Sequence, residues 1–329
     1  MKILVVTNMY PNPEQPAFGT FVKDQVEDLR RAGNEVDVFF VNGRKNKLNY
    51  LWGIFRFWGQ LFKSRYDIIH AHYSLSGLIA RLQLRYPVVV TYHGVEVLAT
   101  HSAGWLTRFS RWAIRLFDRV IVVAQAEKDI LNSPKVVVIP CGIDYEVFKP
   151  IPLPEARAKL GFERDKPLVL WAGEQWRHQK RFELVEESME VLQRRCPEAQ
   201  LVLVSGQPHT VIPTYMSACD VFVLTSRYEG SPMVIKEAMA CNLPVVSTDV
   251  GDVAEVIGGV EGCYLIEPDA EDVAEKLFKV LQWRGRTQGR DKIWHLSSGP
   301  ITRRVIDVYN ELLPAERRFE FSGVWESNV

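Results

Sequence analysis

The segment EGSPMVIKE, Glu229 to Glu237, sets two carboxylates around a Gly-Ser-Pro turn. The second acid falls within an otherwise apolar helical pattern, where a buried charge requires a partner. Gly230, Ser231 and Pro232 have the composition of a helix start, with Ser231 read as the N-cap and Pro232 as the first helical residue. Backbone groups from Gly230 through Ser231, Pro232, Met233 and Val234 would then face an anion, and a diphosphate is the obvious candidate. Glu229 stands just before that end, placed to accept hydrogen bonds from sugar hydroxyls. Glu237 lies four residues beyond Met233, on the same helix face, where a carboxylate can take two ribose hydroxyls. The plain alternative has Glu229 capping the helix and Glu237 paired with Lys236 or a basic neighbour.

These residues need a scaffold, and the rest of the chain supplies its pattern. Short β-branched runs are expected at Ile3–Thr7, Glu35–Val41, Ile68–His70, Val88–Tyr92, Val120–Val123 and Val136–Ile139. They are continuously apolar, as parallel strands covered on both faces are. The Pro- and Gly-rich stretch IPCGIDYEVFKPIPLP ends this series. A second series runs through Leu168–Trp171, Leu201–Val204, Val221–Leu224, Val245–Ser247 and Cys263–Ile266. Two rounds of alternating β and α patterns predict two doubly wound, Rossmann-like α/β domains joined near residue 150. Ligands of such sheets sit beyond the carboxyl ends of the strands, so a shared ligand is expected in a cleft between the facing domains.

The chain has 329 residues, enough for two domains, and 47% of them are hydrophobic. Its zero net charge hides an asymmetry: residues 1–150 carry 19 Lys/Arg against 13 Asp/Glu, and the remainder 21 against 27. The five cysteines are scattered without a CxxC pair and read as reduced thiols of a cytosolic protein. The seven histidines show no metal spacing, so no metal is expected. MKILVVTNMY turns polar too soon for a signal peptide, and no run of apolar residues is long enough to span a membrane.

The pattern of two glutamates followed by EAMACNLPVVSTDVGDVAEVI resembles the retaining family 4 glycosyltransferases of the GT-B fold. Four further stretches carry the likeness in order: MKILVVTNMYPNPEQPAFGTFV, DIIHAHYSLSG, VVVTYHGVEV and VIPCGIDYEVFKP. The nearest type is the bacterial cell-surface polysaccharide and teichuronic-acid group. The resemblance implies an acceptor-side domain over 1–150, a nucleotide-sugar domain over 151–298, and a last helix from about 299, within the 299–329 tail, that crosses back onto the first domain. It implies transfer of a hexose from a nucleoside-diphosphate sugar to a hydroxyl of a glycan or glycolipid, with retention and with no cofactor. Glu229, Lys180 and His93 would be catalytic. Gly19, whose lack of a Cβ would let backbone N–H groups reach the diphosphate, would bind donor, with Arg177, Arg181, Gly230, Ser231, Pro232, Met233, Val234 and Glu237. His70 and His72 are weaker candidates for substrate contact, and His209 and Thr210 for the nucleobase pocket.

One departure stands out. In AGEQWRHQKRFEL, Lys180 matches the family lysine, Glu174 stands where an arginine is expected, and Arg181 replaces a glycine. An acid beside a diphosphate repels it by about 1 kcal/mol or more, unless Arg177 or Arg181 substitutes. Two other readings of the chain therefore stay open: a nucleotide-sugar 2-epimerase of the same fold, and a catalytically silent relative that binds nucleotide or a partner protein.

The stretch 43–66, GRKNKLNYLWGIFRFWGQLFKSRY, holds six Lys/Arg and no acid among many aromatics, and 104–119 adds four more arginines. Such a composition suits an anionic membrane surface, and the resemblance adds lipid-linked acceptors, which would place the enzyme peripherally on the inner face of the cell membrane. The alternative is a helix packed on the core with a solvated basic face. No nucleic-acid partner is expected.

Overall fold

The computed structural model describes residues 1–15, 18–98 and 104–321, without the side chains of residues 95 and 104–106. The chain divides into two compact units, Met1–Gly142 with Ser298–Val329, and Ile143–Ser297.

The first unit is built on six parallel strands, β1 Lys2–Thr7, β2 Glu35–Phe40, β3 Ile68–His72, β4 Val88–Tyr92, β5 Arg119–Val122 and β6 Val136–Val138. Their order across the sheet is β2-β1-β3-β4-β5-β6. Its helices are α1 Thr20–Arg31, α2 Asn49–Lys63, α3 Ser74–Ala80, α4 Val95–Leu98, α5 Gly104–Ala113 and α6 Gln125–Leu131. The second unit holds α7 Leu153–Leu160, β7 Leu168–Ala172, α8 Phe182–Gln193, β8 Gln200–Val204, α9 Ile212–Ala218, β9 Val221–Leu224, α10 Met233–Ala240, β10 Val245–Thr248, α11 Val253–Ile257, β11 Tyr264–Ile266, α12 Ala270–Trp283 and α13 Gly289–Lys292. Its five strands are also parallel, in the order β11-β10-β9-β7-β8. The last helix, α14 Ser298–Leu312, belongs to the first unit and packs against α1.

The expected strands are all present, and the reason lies in burial. Every residue of β3, β4, β9 and β10 is buried, so an apolar run serves both faces of the sheet. Each sheet winds outward in both directions from a switch, between β1 and β3 in the first unit and between β7 and β9 in the second. At such a point the two flanking loops diverge and leave a crevice at the strands' carboxyl ends.

Candidate functional site

In the second unit, the loops that leave β7 and β9 at the switch carry Lys180 and Glu229. The Lys180 Nζ lies 2.6 Å from Glu229 Oε1, and the two side chains are only 12% and 17% exposed. Ser226 donates a hydrogen bond to the same oxygen at 2.8 Å. Thr225 in turn donates to the carbonyls of Lys180 and Arg181 at 2.8 and 3.0 Å. The lysine loop and the glutamate loop are thus stitched together by both side chain and backbone.

Arg181 occupies its position for a conformational reason. Its backbone is left-handed, φ 47° and ψ 53°, a region glycine enters freely and arginine does not. The guanidinium offsets that strain by donating from Nε to the Thr225 carbonyl at 2.7 Å and from Nη2 to the Ser226 carbonyl at 3.0 Å. Arg181 therefore straps the loop after β9, and those donors are spent on backbone instead of being turned to a ligand. Arg177 is half-buried on the same loop, and Glu174, two residues after β7, is exposed.

Ser231 departs from its expected capping role. Pro232 is the residue before α10, and no side chain caps the helix. The Ser231 hydroxyl instead donates to Asp252 Oδ2 at 2.6 Å and accepts from Lys236. Lys236 is fully buried, with its ammonium 3.1 Å from Asp252. A buried ammonium demands polar partners more strongly than one helix N–H does, so the serine serves the lysine. Lys236 is thereby excluded as the partner of Glu237. The first N–H groups of α10 still lack intrahelical acceptors, beside Gly230, Met233 and Val234, all half-buried.

Glu237 is 10% exposed and pairs with His209 Nε2 at 3.0 Å. The imidazole sits 4.9 Å, centroid to centroid, from the buried Phe148 ring. Thr210 is exposed. Both glutamates of the EGSPMVIKE segment therefore lie low in the protein with basic partners, and those partners come from the two loops expected from sequence to contact the donor. Gly251, at φ 61°, closes the turn from the other side: a Cβ there would run into the Gly230 carbonyl.

The first unit gathers histidines. His70 and His72 end β3, and His93 comes directly after β4. His72 Nδ1 and His93 Nε2 face each other at 3.0 Å with the rings stacked at 5.3 Å. His70 is closed off, with Nδ1 2.6 Å from the Tyr309 hydroxyl and Nε2 2.7 Å from Thr91 Oγ1. It is fully buried, which removes it as a substrate contact. His93 is half-buried, flanked by Phe21 and Tyr73, with Nδ1 3.9 Å from the Cys141 thiol. Burial lowers the pKa of His70 and His93 to about 3, with the charge of His70 as a second cause for His93, and lowers His72 as well. All three are neutral imidazoles at pH 7.

Gly19 has a structural reason of its own. It precedes α1 at φ 74°, and a Cβ would meet the Met9 and Tyr10 backbone at 2.6 to 2.8 Å. The glycine is required by the crossing of two loop segments, whatever approaches them from outside.

Several members of these clusters are not evident from sequence. Ser226, Thr91 and Tyr309 are hidden as core residues of strand ends and helix. Glu96 and Glu127 are both buried. Glu96 accepts the His93 backbone N–H at 3.2 Å, and burial raises its pKa to about 7. Burial, with the charge of Glu96 second, raises Glu127 to about 8. Glu96, three residues after His93 in HGVE, is the one with a local signal.

The comparisons with known proteins agree with the fold. Residues 2–147 match the family model for Glycosyltransferase Family 4, and residues 206–282 that for glycosyl transferases group 1. A Bacillus subtilis protein named as a teichuronic acid biosynthesis glycosyltransferase, TuaC, is 27% identical over 84% of this chain and 88% of its own. The UDP-Gal:α-D-GlcNAc-diphosphoundecaprenol α-1,3-galactosyltransferase of Escherichia coli is 24% identical over 76% and 73%. Among solved structures, sucrose-phosphate synthase of Thermosynechococcus elongatus superposes with a TM-score of 0.80 at 22% identity, covering 94% of this chain and 98% of that one. Anabaena HepE in complex with UDP and glucose gives 0.74 at 17%, covering 94% and 100%. At these identities the structural likeness speaks for the fold.

Proposed function

On the premise that the chain belongs to the glycosyltransferases of the GT-B fold, we propose that it transfers a hexose from a nucleoside-diphosphate sugar to a hydroxyl of a glycan or lipid-linked glycan, with retention. The observation that carries this reading is the Lys180–Glu229 pair at the β7/β9 switch, beside the open end of α10. A donor can divide that pair between its own parts. The diphosphate takes the ammonium and the α10 N–H groups, and the sugar hydroxyls take the carboxylate, so neither charge is left bare when the ion pair opens. Glu237 is suited to a ribose, with His209 holding its second face.

Attack by the acceptor hydroxyl on the side from which the diphosphate leaves retains the configuration. The C–O bond to the diphosphate breaks, the bond to the acceptor oxygen forms, and the departing diphosphate takes the acceptor's proton. Lys180 and the helix-start amides stabilise the charge that grows on the leaving oxygen. This is the work a metal ion does in other transferases. A neutral His93 suits a hydrogen bond or ring contact to sugar, not a cation's role. Two relatives support the substrate classes: the Escherichia coli enzyme is named for a UDP-sugar and a diphosphoundecaprenol acceptor, and HepE is described with UDP-glucose.

Helix α2 favours a membrane-surface acceptor. It exposes Leu51, Trp52, Phe55 and Phe62, at 59 to 85% exposure, on a helix that ends in Lys63 and is flanked by Arg44, Lys45, Lys47 and Arg65, the composition of an interfacial helix. No helix among the described residues is long and apolar enough to cross a membrane.

Incubation with UDP-, GDP- and dTDP-sugars tests the function. Slow hydrolysis of one donor is the expected result. A changed sugar would instead identify an epimerase, and a donor bound but left intact would identify a silent relative.

A further inference from the structure

A second feature of the first unit lies at the opposite end of its strands from the histidines. The residues that lead into β3 and β4, Arg65–Asp67 and Arg85–Pro87, meet the end of α14 and the turn after it, Leu312–Pro314 and Arg317. Together they line a groove of about 460 Å³. Arg65, Arg85 and Arg317 are exposed, and none pairs with a carboxylate among the described residues. Asp67 is the acid of the lining, and its Oδ2 already accepts the Lys2 backbone N–H at 2.8 Å. Arg85 lies over the Tyr86 ring at 5.3 Å. The Tyr86 hydroxyl is buried with no hydrogen-bond partner among the described residues.

Three arginines that line one groove without a carboxylate partner among the described residues give it a positive potential that an anion would offset. Nearby, Arg81 pairs with Asp118 and Arg119 with Glu311. The flat donor forks match the several oxygens of a phosphate better than one carboxylate does. Pro87, Leu312 and Leu313 add apolar surface between the arginines.

We propose that this groove binds a phosphate-bearing anion, a phosphomonoester or diphosphate, at a site separate from the donor site. It stands at the strands' amino end, just beyond the Lys63 end of α2, so the phosphate has two sources: a free phosphorylated metabolite or a lipid headgroup. Anion binding in the groove does not depend on sugar transfer.

The test uses the full chain in two arms. In the first, inorganic pyrophosphate is titrated calorimetrically into the Lys180→Ala protein, which weakens the donor site, with and without Arg85→Gln/Arg317→Gln. In the second, the otherwise wild-type protein and the double variant are sedimented with phosphatidylcholine vesicles that contain or lack phosphatidic acid. A loss of binding of about tenfold or more in either arm, with the parent's binding weakened by salt, supports the site. Loss with pyrophosphate alone names a soluble ligand, and loss with vesicles alone names a headgroup. Equal binding by double variant and parent in both arms, or no binding of either probe by the parent, overturns it. Unfolding curves check the variants, and Arg65→Gln alone, on an exposed side chain, repeats both measurements should the double variant be unstable.

Discussion

The two clusters at the strands' carboxyl ends solve the problem of polar groups in a crevice in opposite ways. The first unit holds its groups toward the neutral form: three stacked imidazoles, His70 and His72 buried and His93 half-buried, stay uncharged, and burial pushes the carboxyls of Glu96 and Glu127 upward. The second unit keeps its groups charged and paired, Lys180 with Glu229 and Lys236 with Asp252. A neutral cluster can line a sugar without attracting counterions. A paired cluster stores separated charge for release when a doubly anionic group arrives. Burial alone does not tell a structural polar group from a working one; what matters is whether its partner can be exchanged for a ligand.

That distinction can be broken first at the exchangeable pair. Lys180→Ala and Glu229→Ala should each lower turnover about 10²- to 10³-fold while the circular dichroism spectrum is kept. Unchanged donor hydrolysis by either variant would make the pair merely structural.

A smaller effect is expected at Glu127. Its folded pKa lies above the ordinary carboxyl value, so the folded state holds a proton the unfolded chain releases. Stability is fully kept below about pH 4.5 and is lost as pH rises through about 8. Glu127→Gln should flatten that decline, by about 2 to 4 kcal/mol across the window, in denaturant titrations at pH 5 and pH 8.5. Parallel curves for parent and variant would refute a neutral cluster.

The smallest effect should come from the outer hydrogen bond of the histidines. Tyr309→Phe removes the 2.6 Å partner of His70 and should cost about 1 to 2 kcal/mol, seen as a lower melting temperature with donor hydrolysis intact. A large loss of turnover would show that the histidine chain reaches further into the chemistry than its burial indicates.

Much of this molecule is legible from residue order. The strands can be read because buried parallel strands are apolar on both faces, and the glutamate pair because a Gly-Ser-Pro turn beside a strand end is a local signal. What escapes is set by distant partners. Ser231 looks like a cap, since nothing nearby shows that Lys236 is buried with Asp252. Arg181 looks like a phosphate ligand, and only the left-handed backbone together with the Thr225 and Ser226 carbonyls reveals a strap. Glu127 looks like a solvated acid in a helix's first turn. In each case burial or a partner from another loop decides, and neither is written in the local sequence.

Gly251 carries a last implication. Because its bare α-carbon rests against the Gly230 carbonyl, and Asp252 next to it grips Ser231, the floor under Glu229 is the back of another loop. The two loops form one mechanical part. Anyone reshaping this turn would have to redesign both loops together, since widening either alone would push the other out of true.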